Sequence, residues 1–156
     1  MSQQPVIVVP WDFSEFSAKA LEFAVEKFPQ ANLHVICVLE KPNPYASDMA
    51  WGEESEARAI QKSIETFNQS TNTPLGTHYH FTTLFGEPAS EIARLTNELD
   101  ANYIIMSTHG RTGLKKWMLG SVAQRVTERA KCPVILLPST WVESQSDSIN
   151  SMAVAI

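Results

Sequence analysis

Long apolar stretches are missing from this chain of 156 residues. No run approaches the ~20 residues that a membrane-crossing helix needs, so no membrane partner is expected. The opening, Met1-Ser-Gln-Gln-Pro5, has no basic segment followed by an apolar one, and no secretory signal is read there. Cysteine is scarce. Cys37 and Cys132 do not make a disulfide framework, and both read as small hydrophobes in or beside strands. A cytoplasmic location is the natural expectation. Positive charge is also short, with 12 Lys and Arg against 17 Asp and Glu and a net charge of −5. That argues against nucleic acid as the main partner, because contacts along a phosphate backbone need a basic surface. Several chemical signatures are absent too. There is no Gly-x4-Gly-Lys-Ser/Thr loop, no Gly-x-Gly-x-x-Gly after the first strand, and no nucleophile elbow or Ser-His-Asp order.

What is present is a regular alternation. Hydrophobic residues make up 44% and charged residues 19%, the balance of one compact domain with a real core. Short β-branched or apolar runs at 6–9, 33–39, 78–84, 103–106 and 133–138 read as strands. Between them lie helical patterns. The first carries Phe16, Ala20, Leu21, Ala24, Val25 and Phe28 on one face, after a cap at Asp12 or Ser14. The second, over 53–69, carries Ala57, Ile60, Ile64 and Phe67. The third is opened by Pro88 and carries Ala89, Ile92, Ala93, Thr96 and Leu99. A fourth starts near Ser121 and ends near Ala130. This order predicts an α/β fold: a single-domain, open, parallel five-stranded sheet with helices on both faces, Rossmann-like, over residues 1–140. Residues 141–156 read as a polar tail, mobile or loosely docked. In such a sheet ligands sit outside the carboxyl ends of the strands, near the switch in strand order. The turn at 10–12 and the loop at 107–121 both lie at carboxyl ends and can converge on one crevice.

The second of these is the most informative stretch: Ser107-Thr-His-Gly-Arg-Thr-Gly-Leu-Lys-Lys-Trp-Met-Leu-Gly-Ser121. It joins a strand to a helix start, carries glycines, and places His109, Arg111, Lys115 and Lys116 in an otherwise acidic chain. Glycines let backbone N–H groups approach closely, and a helix start offers unpaired donors with a positive dipole end. A local basic patch on an acidic protein suits a small anion rather than a polyanion.

The chain resembles the universal stress proteins over about residues 5–138. Their nucleotide-binding branch has a Gly, two residues, a Gly, nine residues, then Gly-Ser or Gly-Thr. Here the second and third glycines are Gly110 and Gly120, nine residues apart, followed by Ser121; Ser107 stands at the first glycine's position. The resemblance continues at Asp12 in Pro-Trp-Asp-Phe-Ser-Glu, where the family's aspartate meets adenine, and at Val35 in His-Val-Ile. It implies an adenine nucleotide alpha hydrolase-like fold and an adenine-nucleotide site. Pro10, Trp11 and Asp12 would border the adenine, with Val35 at its face. Met106, Ser107 and Gly110 would line the ribose and inner phosphates, and Gly120, Ser121 and Val122 would donate to phosphates. ATP, ADP or AMP would be the ligand, with any Mg²⁺ held mainly by phosphates and water. A serine at 107 is strained if its φ is positive; if φ is negative, its hydroxyl can hydrogen-bond the ribose. The Ser-Gly-Gly-rich loop of the ATP pyrophosphatases and the His-Ile-Gly-His signature of the related nucleotidyltransferases are missing.

Plainer readings stand beside these. Gly110 and Gly120 can simply shape a turn and a helix start. Lys115 and Lys116 read as solvated surface, and Arg111 as the better phosphate partner. Trp117, Met118 and Leu119 read as packing or dimer contacts. His78 and His80 share a strand face, but no further ligands have metal spacing, so a structural role is expected. Three functions compete. The leading one is an ATP- or adenine-nucleotide-binding stress-response regulatory module. The second is a slow ATPase or phosphotransferase, with His109 as the nearby water-orienting group. The third is a dimeric interaction protein that binds no nucleotide. A homodimer is expected in each, through the apolar last strand Val134, Ile135, Leu136 and Leu137, as the family commonly does. Some protein partner is expected as well.

Overall fold

The computed structural model describes residues 3–42, 45, 51–71, 78–110 and 118–154. Among them the chain runs β1 (Val6–Trp11), α1 (Glu15–Lys27), β2 (Asn32–Leu39), α2 (Glu53–Ser70), β3 (Tyr79–Phe85), α3 (Pro88–Glu98), β4 (Tyr103–Ser107), α4 (Ser121–Arg129), β5 (Val134–Leu137) and α5 (Ser139–Val154). The strands form one parallel sheet in the order β3-β2-β1-β4-β5. The chain winds outward from β1 to β3, then crosses back to β4 and out to β5. The strand order therefore switches between β1 and β4.

Strand alternation sorts the core into two layers. On one face Ile7, Val9, Leu33, Val35 and Ile105 pack with Ala20, Leu21 and Ala24 of α1 and Phe67 of α2. On the other, Val8, Ile36, Ile104 and Met106 pack with Ala89 and Ile92 of α3 and Ala123 and Val126 of α4. Val8, Val9, Ile7 and Ile104 have no exposed surface. Each such side chain contributes about 1.5–3 kcal/mol of apolar burial.

Three elements depart from the sequence pattern. α2 is turned on its axis. Ser63 and Phe67 are buried, whereas Ala57 is exposed and Ile64 is 41% exposed. The orientation is fixed by Ser63 Oγ against Thr83 Oγ1 at 2.7 Å and by Phe67 stacked on Phe81 at 4.2 Å. The stretch read as a tail from residue 141 is helical over Ser139–Val154. Its start is packed: Trp141 meets Phe23 edge-on at 5.5 Å, and Val142 is buried.

The third departure shapes the site. β1 runs on to Trp11, through Pro10. Asn102 N–H donates to Val6 O, while Asn32 N–H donates to Pro5 O, so the even residues of β1 address β4 and the odd ones β2. Pro10 therefore turns its nitrogen, which carries no hydrogen, toward β4. The β1–β4 register covers only Ile7↔Tyr103 and Val8↔Ile104. Beyond Val8, β1 stays paired with β2 as far as Trp11↔Cys37, and β4 stays paired with β5 as far as Ser107↔Leu137. The sheet splits at the carboxyl ends of its two central strands.

Candidate functional site

Two connections flank this split. After β1 the chain turns sharply: Phe13 has φ 63°, a left-handed conformation unusual for a bulky residue. Asp12 holds the turn, its Oδ1 accepting from the Ser14 N–H at 3.0 Å and from the Ser14 hydroxyl. Ser14 Oγ then caps α1 by accepting from the Ser17 N–H at 3.2 Å. Of the two expected caps, Ser14 is the one that serves α1, and Asp12 supports it.

The other carboxylate oxygen of Asp12 reaches across the split. A Cβ placed on Gly110 would lie 2.5 Å from Asp12 Oδ2. A side chain at 110 would have to displace the Asp12 carboxylate, so glycine there permits the close approach of the two loops. Gly120 is also tight: a Cβ there would lie 3.0 Å from Thr108 O, to which the Gly120 N–H donates at 2.7 Å. That bond joins the two ends of the loop. Gly120 is the N-cap of α4 and provides no side-chain acceptor, and the first turn of α4 carries no acidic residue. The helix start keeps its positive dipole end without an internal counter-charge.

The remaining expected residues fall as follows. Met106 and Ser107 are buried at the end of β4, and Pro10 and Trp11 border the split from β1. The indole Nε1 of Trp11 is buried with no hydrogen-bond partner, one of two such side-chain atoms among the described residues. Ser121 is exposed and Val122 half-buried at the α4 start. Val35 has no exposed surface and pairs with Val9, deeper in the sheet than the rim pair Trp11 and Cys37. His109 is buried, its Nδ1 2.9 Å from Thr108 Oγ1 and its ring 6.4 Å from Phe16. Arg111, Lys115, Lys116 and Trp117 lie outside the described residues. Met118 and Leu119 are exposed, at 46% and 40%. Ser107 has no positive φ. Its hydroxyl is already engaged, donating to Leu137 O and accepting from the His109 N–H, each at 3.3 Å.

The universal stress protein family model matches residues 5–138. The chain belongs to the universal stress protein family. A universal stress protein of Methanocaldococcus jannaschii is 31% identical over 141 residues, covering 84% of this chain and 80% of that protein. Another protein of that organism, solved as a test case of structural genomics, superposes with a TM-score of 0.67 at 25% identity over 85% of this chain and 94% of its own. The Archaeoglobus fulgidus universal stress protein in complex with dAMP shares the fold, with a TM-score of 0.53 at 22% identity, covering 87% of this chain and 98% of that one.

The two rims of the split bring these features together. Two glycines keep the backbone close to its neighbours, a helix start has no capping side chain or first-turn acid, and the Asp12 carboxylate stands on the opposite rim. Metal is another matter. Among the described residues no three His, Cys, Asp or Glu side chains form a ligand group. His80 instead stacks on His34, its register partner on β2, at 4.9 Å. The sequence reading paired His80 with His78 along its own strand and missed His34. Burial, then the neighbouring His80, lowers the pKa of His34 below 6.5. No helix among the described residues is long and apolar enough to cross a membrane.

Proposed function

We propose that this universal stress protein is a cytoplasmic regulatory module that binds ATP or a related adenine nucleotide in the split between β1 and β4. The observation that carries this reading is the meeting of Asp12 with Gly110 beside the uncapped α4 start. The fold-mate solved with dAMP supports it. Asp12, bordered by Pro10 and Trp11, receives the adenine end. Met106, Ser107, His109 and Gly110 line the middle, and backbone donors from Gly120 to Val122 take the phosphates, with Arg111 as their side-chain partner. Any Mg²⁺ is held by phosphates and water.

The module acts as a homodimer. β5 closes one edge of the sheet, and Val134, Ile135 and Leu136 are only half-buried there. Light scattering is expected to show a dimer at micromolar concentration; a monomer would remove this part. His109, the candidate water-orienting group, is buried with its ring 6.4 Å from Phe16 and its Nδ1 2.9 Å from Thr108 Oγ1. The deciding experiment is denaturing release of small molecules from freshly purified protein, followed by ATP titration of Asp12→Ala. Bound nucleotide, or micromolar ATP binding that weakens about tenfold or more in the variant, supports the site. An empty protein that ignores added ATP rejects it in favour of a dimeric interaction protein.

A further inference from the structure

Ser107 occupies the position of the family's first loop glycine, and its side chain is already engaged. It is buried, and its hydroxyl bridges Leu137 O and the His109 N–H at 3.3 Å each. Leu137 O also accepts from the Thr108 N–H at 3.0 Å. The Ile104 N–H donates to Pro133 O on the same side, so even residues of β4 address β5. By alternation the backbone N–H and C=O of Ser107 face β1, toward the split, while its hydroxyl reaches back to β5. The conformation needs no glycine, since φ is not positive. A glycine there would leave the first link of the loop freer.

We infer that Ser107 is a positioning residue, whose hydroxyl pins the start of the glycine loop to the last carbonyl of β5 and so holds the loop's backbone for the nucleotide. The inference rests on the nucleotide-binding reading above. The pin acts next to the loop's closing bond, Gly120 N–H to Thr108 O at 2.7 Å. Thr108 is thereby held to β5 through its N–H and to the α4 start through its C=O. Slack admitted at Ser107 passes directly to the start of α4, where phosphates would sit.

The test compares the native chain with Ser107→Ala and Ser107→Gly, and with Ser63→Ala as a control. The control removes a similarly buried hydroxyl contact, 2.7 Å from Thr83 Oγ1, on α2, away from the split. Two quantities are read: amide hydrogen exchange at His109 and ATP affinity by calorimetry, both well below the melting temperature. In Ser107→Ala, exchange at His109 is expected to quicken about five- to tenfold and ATP binding to weaken about three- to tenfold, as for one lost buried hydrogen bond. Ser107→Gly is expected to weaken binding further. Ser63→Ala is expected to lower the melting temperature and change neither readout. Unchanged exchange at His109 overturns the pin. Faster exchange with unchanged affinity overturns the positioning role and leaves nucleotide binding standing. If the native chain binds no ATP, the nucleotide reading fails, the positioning role falls with it, and the exchange arm still decides whether the pin exists.

Discussion

α3 and α4 cover the same face of the sheet, and their starts are built in opposite ways. α3 begins with its own anion. Glu87 caps it, accepting from the Ala89 N–H at 3.3 Å and the Ser90 N–H at 2.9 Å. Arg125 and Arg129 of α4 come across to the same carboxylate, at 3.2 and 2.9 Å. The hydrogen bond from the Ser90 hydroxyl, then the Ser90 N–H, Arg129 and the Ala89 N–H, hold the Glu87 carboxyl at about 2, against the opposing effect of partial burial. α4 has a glycine cap and no acid in its first turn. A helix start serving only the fold is completed from within. The α4 start is left bare beside glycines, which is where the proposed nucleotide would bring its own anion.

That contrast can be broken in graded steps. The largest effect is expected from Gly120→Val, which drives a branched side chain into Thr108 O and opens the loop's closing bond; ATP affinity should fall about a hundredfold, read by calorimetry. Ser121→Glu would give α4 the internal anion that α3 already has. Affinity should drop about tenfold through repulsion of the phosphates, while the melting temperature stays or rises. Glu87→Gln removes the internal anion from α3. The lost cap should cost about 1 kcal/mol of stability, the half-exposed ion pairs adding little, with ATP affinity unchanged. Glu87 also sets an acid limit. Its folded pKa lies below the unfolded carboxylate value, so its contribution is complete above that value and is lost as pH falls toward about 2.

The smallest effect is expected at His34. Its folded pKa is lowered, so the folded state binds fewer protons there. Its contribution is present above pH 6.5 and is lost as pH falls below it. Replacing His80 by Asn removes the neighbour that helps lower the His34 pKa and should shrink that slope in a melting series between neutral and mildly acid pH.

Most of the fold was legible because periodicity reports burial, and parallel strands buried on both faces read as plain apolar runs. The face of α2 was not legible. Ala57 and Ile64 have helical spacing with Phe67, but a hydroxyl contact from Ser63 to Thr83 and the stacking of Phe67 on Phe81 decide the rotation. Neither leaves a periodic trace. α5 was missed because its polar composition hides Trp141 and Val142, whose packing on the domain depends on tertiary placement. In the site, Gly110 and Asp12 were legible as separate matches, while their contact across the split was not. The switch in strand order pointed to a crevice there, but Pro10 read as part of a turn and its place within β1 was not foreseen. Ser107 was readable as a departure from the glycine pattern, but its hydroxyl's partners lie thirty residues apart in one case, Leu137, and are a backbone amide in the other.

The two-residue β1–β4 ladder bears on more than ligand access. Mechanically, the sheet is a plate with a notch cut into its middle. Three strands on one side and two on the other are joined by a short seam, with α1 laid across it: Ala20, Leu21 and Ala24 share one apolar layer with Ile7 of β1 and Ile105 of β4. Cracks start at notches. Partial unfolding on heating or under load should therefore run along this seam, dividing the molecule into a β1–β3 piece and a β4–β5 piece, and α1 is the splint that resists it.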